Sequence, residues 1–132
     1  MWKDQIQQSL EDYGQALGAG DFSLIVNGWA VPALVLSDSG ALVVTNIAEI
    51  ERFFAGAVQW YRSQGIVSTR PDIIRMDILS EQLVAVDVHW PSYDADGKER
   101  MNELSHYILE LGKDSRFRIR VALTRTAAPK ES

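Results

Sequence analysis

The stretch "RMNELSHYIL", residues 100–109, carries the side chains best suited to chemistry. In an extended chain alternate side chains share a face, so Glu99, Met101, Glu103, Ser105 and Tyr107 project together. Glu103 is the central candidate of that row. A carboxylate held among apolar neighbours gains proton affinity and approaches the range useful to a general base. Asp38, in the turn "SDSG", is the second candidate base. Tyr13, in "LEDYGQALGAGDF", has two readings: a hydrogen-bond donor at the floor of a cavity, or a core ring with a satisfied hydroxyl. Trp29, Trp60 and Trp90, three of the four tryptophans in 132 residues, suit an aromatic wall for a flat organic ligand. With Tyr13, Met101, Ser105 and Tyr107 they form the expected ligand-binding set.

What the chain lacks removes other chemistries. There is no cysteine, hence no thiolate nucleophile, disulfide or zinc–sulfur site. His89 and His106 have the opposite strand parity from the Glu103 row, and only Asp87 stands near as a third ligand, so neither metal nor cofactor is expected. No glycine-rich phosphate loop occurs. Lys and Arg number 13 against 18 Asp and Glu, a net charge of -5, which argues against nucleic acid as a partner. No apolar run approaches the roughly 20 residues of a membrane span, and the opening "MWKDQIQQSLEDYG" lacks a signal-peptide core. A cytoplasmic protein without a membrane partner is the expectation.

These residues need elements to hold them. Trp2, Ile6, Leu10, Tyr13 and Leu17 recur at helical spacing, which predicts a first helix over about residues 3–17, stopped by Gly18 and Gly20. Asp21 is placed to cap a second helix carrying Phe22, Ile25, Val26 and Trp29, with Pro32 as its end. "ALVLSDSGALVVT" reads as two short strands about Asp38-Ser39-Gly40. Asn46 caps a third helix, Glu49 reaches back, and Ile47, Ile50, Phe53, Phe54, Ala57, Val58 and Tyr61 trace its apolar stripe. Strands follow in "DIIRMDIL", "LVAVDVHW", "RMNELSHYILEL" and "RFRIRVALT". Val84, Val86, Val88 and Trp90 should form one inward row, and Phe117, Ile119, Val121 and Leu123 another. Helices first and a meander after imply an α+β class, with three N-terminal helices on a strongly curved, mostly antiparallel sheet. One domain over residues 1–126 and a disordered tail at 127–132 are expected.

The order of elements, with "ALGAGDF", Pro32, "NIAEIERFF", "DADGK" and "RFRIRVAL", resembles the nuclear-transport-factor-two-like superfamily. That cone fold is shared with SnoaL-like polyketide cyclases and ketosteroid isomerases. "YGQALGAGD" is similar to the isomerase stretch that carries an oxyanion-hole tyrosine, which places that role on Tyr13. The isomerase's two acids fall instead on Ser37 and Ser105, and a serine is no base at neutral pH without an activating partner. The resemblance also implies a homodimer through the outer sheet face, at Leu104, His106, Ile108, Arg118 and Arg120. The expected function is binding of a small, largely apolar organic ligand in a conical pocket. The rivals are an isomerase- or cyclase-type enzyme using Glu103 or Asp38 as base, and a non-catalytic interaction module.

Overall fold

The computed structural model describes residues 2–126, so the tail at 127–132 lies outside the described residues. Helix α1 (Trp2–Ala19) buries Ile6, Leu10, Tyr13 and Leu17, the spacing read from sequence, and stops at Gly20 in the left-handed region. Helix α2 (Phe22–Asn27) is capped by the Asp21 side chain, which accepts from the Leu24 N–H. Strands β1 (Trp29–Ser37) and β2 (Gly40–Val44) flank the Asp38-Ser39 turn. Helix α3 (Ile47–Ser63) begins with Asn46 accepting from Glu49 N–H, while the Glu49 carboxylate accepts from Thr45. Strands β3 (Ile66–Thr69), β4 (Asp72–Ile78), β5 (Leu83–Asp94), β6 (Glu99–Leu111) and β7 (Phe117–Thr126) complete the chain.

The strands form one curved sheet in the order β2-β1-β7-β6-β5-β3, with β4 pairing beside β3 on β5. The β1–β7 pair is parallel and the others are antiparallel. The helices pack on the inner face, giving an α+β fold. Val84, Val86, Val88 and Trp90 are buried as one row beneath them. Removing each of those side chains from water contributes about 1.5–3 kcal/mol. Among the described residues no helix is long and apolar enough to cross a membrane.

Three expectations are corrected. Trp29 does not end α2; it opens β1, and Pro32 lies inside that strand. The β1–β7 register shifts between Trp29 and Leu34, and a proline, which has no N–H to donate, is tolerated in such an irregularity. In β7 the inward row changes parity. Leu109 pairs with Ile119 but Ile108 with Val121, so one extra residue bulges at Arg120. Phe117, Ile119 and Ala122 are therefore the buried residues, while Val121 and Leu123 stay partly exposed.

The third correction concerns α3, where the apolar stripe divides into two rows one residue apart. Ile50, Phe54 and Val58, at intervals of four, are buried. Phe53 is 43% exposed and Ile47 55%, because the Ile50–Phe54–Val58 row takes the core side of the helix. The row Phe53, Ala57 and Tyr61 faces an internal space.

Candidate functional site

Between the helices and the curved sheet lies a cavity of about 460 Å³. Its deep wall rests on two indole–phenol pairs. Trp29, at the start of β1, donates its Nε1–H to the Tyr13 hydroxyl at 2.9 Å, and Trp90 of β5 donates to the Tyr107 hydroxyl at 3.1 Å, both buried. An indole N–H can only donate, so each phenol must accept. Each pair thereby presents apolar ring surface to the cavity while the buried indole N–H has its acceptor. Phe54 of α3 completes the wall, edge-on to Tyr13 at 6.3 Å and 5.7 Å from the Trp29 ring.

Two glycines make this wall possible. A Cβ on Gly14 would stand 2.9 Å from Trp90 Cζ3, and one on Gly28 would stand 2.7 Å from Tyr13 Cδ1. Any larger residue would push the indole or the phenol from its place. The glycine after Tyr13 thus makes room for Trp90 of the strand row.

Burial pushes the Tyr13 hydroxyl well above its ordinary acidity range; Tyr107 nearby adds to this, and the bond from Trp29 opposes it. Burial likewise pushes Tyr107 up to about 12, against hydrogen bonds with Ser105 and Trp90. Both phenols are neutral at physiological pH. They can donate a proton in a hydrogen bond but do not supply a negative charge.

The polar group that differs from these is Glu103, on the inward row of β6. The Tyr61 hydroxyl, from the cavity-facing row of α3, donates to its Oε1 at 2.9 Å. Burial raises the proton affinity of Glu103, and the Tyr61 bond partly offsets that rise. Tyr61 is in turn pushed above its ordinary range by burial and by the adjacent carboxylate. At the mouth, Ser37 and Ser39 face each other with hydroxyls 2.8 Å apart.

Of the residues singled out in the sequence, Tyr13, Trp29, Trp90, Glu103, Ser105 and Tyr107 line this one cavity. Asp38, Trp60 and Met101 do not. Asp38 lies at the tip of the β1–β2 turn, exposed, between the two serines that face inward. Trp60 is 47% exposed because the inward step of α3 runs from Ala57 to Tyr61. Met101 shares the Glu103 parity but lies one pleat further out, opposite Ser92. The partner of Glu103 was missed. Tyr61 lies 42 residues away in sequence, and its one signal is the four-residue step from Ala57.

On the outer face of the sheet, His106 Nδ1 pairs with Asp87 Oδ1 at 2.7 Å. Arg120 bonds Glu110 and the Pro32 carbonyl, and Arg118 bonds Asp114 and the Asn27 carbonyl. Leu104 and Ile108 lie half-buried among them. Among the described residues no group of three His, Cys, Asp or Glu side chains is arranged to hold a metal ion.

Comparison with known proteins agrees with this fold. No curated protein sequence matches the chain. Solved structures match the fold at low identity. A domain of unknown function with a cystatin-like fold from Nostoc punctiforme is 14% identical, with a TM-score of 0.74 over 98% of this chain and 79% of that one. A ketosteroid isomerase-like protein from Erwinia carotovora atroseptica is 11% identical, with a TM-score of 0.71 over 96% of both chains. A protein from Catenulispora acidiphila, solved in complex with S-DNPA, is 14% identical, with a TM-score of 0.69 over 95% of this chain and 92% of that one. The family model described as NTF2-like protein (DUF6841) matches residues 3–127. The chain belongs to that NTF2-like family.

Proposed function

We propose that the protein binds a small, largely apolar organic molecule in the cavity between α1, α3 and the sheet. The observation that carries this reading is the wall itself. Trp29 with Tyr13, and Trp90 with Tyr107, give each buried indole N–H its acceptor and leave ring faces toward a space of about 460 Å³. A volume of that size, lined by aromatic surface with a few fixed polar groups, is the usual form of a small-molecule site. A protein of similar fold having been solved in complex with S-DNPA adds support. The test is a titration with the neutral, apolar fluorophore N-phenyl-1-naphthylamine. Saturable, one-to-one enhancement is expected, and it should vanish in Ala57→Trp, which fills the α3 side of the cavity. Absence of saturable binding to the unaltered protein contradicts the proposal.

A second reading is catalysis, with Glu103 as general base and Tyr13 as donor. It is favoured by the raised proton affinity of Glu103 and by the Tyr13 O–H, whose oxygen accepts from Trp29 and whose proton has no acceptor among the described residues. Under this reading Tyr13→Phe cuts turnover by about a hundredfold or more, while simple binding is left nearly unchanged. We also propose that two chains associate through the outer face bearing Leu104, His106, Ile108, Arg118 and Arg120. Its arginines are already paired within the chain, so the apolar side chains between them are free to meet a second copy.

A further inference from the structure

The charge inside the cavity is one-sided. Among the described residues, Glu103 is the one lining side chain able to carry a full charge near neutral pH, and no lysine, arginine or histidine lines the space with it. Aromatic side chains line the same cavity beside it. Trp90 stands directly across from Glu103 in the β5–β6 pairing, Tyr107 follows on the same row of β6, and Tyr61 bonds it from α3. Tyr61 engages Oε1 alone, so Oε2 keeps no protein partner among the described residues.

Ring faces carry negative charge density and so does an ionised carboxylate, so the lining attracts cations and repels anions. A neutral ligand would leave the half-buried carboxylate unpaired beside hydrocarbon, an unfavourable arrangement. The chain's net charge of -5 also favours the approach of a cation. We propose that the ligand is an organic cation, an amine or quaternary ammonium on an apolar body, with its charged head held between Glu103 Oε2 and the rings of Trp90, Tyr61 and Tyr107. This rests on the reading of the cavity as a ligand site.

The test uses a matched pair of probes, benzyltrimethylammonium and its uncharged carbon isostere neopentylbenzene. Binding is followed at the indole N–H resonances of Trp29 and Trp90 in the full-length protein. The hydrophobic effect alone ranks the isostere first, because the cation loses more hydration. The proposal predicts the reverse order, with the cation tighter by about tenfold. Glu103→Gln, which keeps side-chain volume and an acceptor for Tyr61, should erase that preference and leave the isostere's affinity in place. An isostere that binds as tightly as the cation, or a cation whose affinity is unchanged in Glu103→Gln, overturns the inference while leaving the cavity a binding site. If neither probe shifts Trp29 or Trp90, the ligand-site reading falls as well.

Discussion

Tyr13→Phe tests the construction of the cavity wall. The substitution keeps the ring and its contacts with Phe54 and Trp90, and deletes the hydroxyl that accepts the Trp29 N–H. That N–H is buried, can only donate, and is left without its acceptor. An orphaned buried donor costs about 1–3 kcal/mol. For a domain of this size one kcal/mol corresponds to about 3–4 °C in Tm, so thermal unfolding followed by circular dichroism should show a loss of about 3–12 °C. Trp29→Phe combined with Tyr13→Phe removes both partners, and the double variant should lose less than the two single losses added together. Strict additivity, or a Tm within about 1 °C of the unaltered protein in Tyr13→Phe, refutes the buried pair.

The two faces of α3 give a second prediction: Phe54→Ala, in the core row, should destabilise by about 3–5 kcal/mol, and Phe53→Ala, at the mouth, by about 1 kcal/mol. Equal losses in chemical denaturation would contradict the split of the stripe. For Glu103, burial raises the folded-state pKa above the ordinary value of about 4.3, so above that pH the folded chain holds more protons than the unfolded one. Stability therefore falls as pH rises through the raised value, and the Tm of Glu103→Gln should gain on that of the unaltered protein from about pH 4.3 upward; parallel Tm–pH curves would refute this. Ile108→Arg places an unpaired charge on the outer sheet face, at a cost of several kcal/mol in a buried interface, so light scattering should show a dimer become a monomer. An unaltered protein that is monomeric, or a variant that stays dimeric, removes that interface.

The sequence was most legible where one period ran uninterrupted. Val84, Val86, Val88 and Trp90 alternate with partly exposed partners along β5, and period two admits one inward row. It was least legible where a single residue changes the face. The bulge at Arg120 moves the inward position from Val121 to Ala122, and since both are small and apolar, nothing in the pattern marks the change. In α3 the rows Ile50–Phe54–Val58 and Phe53–Ala57–Tyr61 are each apolar at four-residue spacing. Which one meets the core depends on the cavity, a property of the assembled fold. Pro32 reads equally well as a helix end or as a strand irregularity, which misplaced Trp29. The Glu103 row was visible from alternation alone, but its contact with Tyr61 joins β6 to α3, beyond the reach of local spacing.

Ligand entry into the space walled by the two indole–phenol pairs is the central claim. The most direct measurement is the set of four tryptophan indole N–H resonances during titration with N-phenyl-1-naphthylamine. Trp29 and Trp90 line the cavity; Trp2 packs outside it on Phe117, and Trp60 is exposed on α3. Saturable shifts are expected at Trp29 and Trp90, with Trp2 and Trp60 unmoved. Saturable binding that moves Trp60 or Trp2 and leaves Trp29 and Trp90 in place would contradict it.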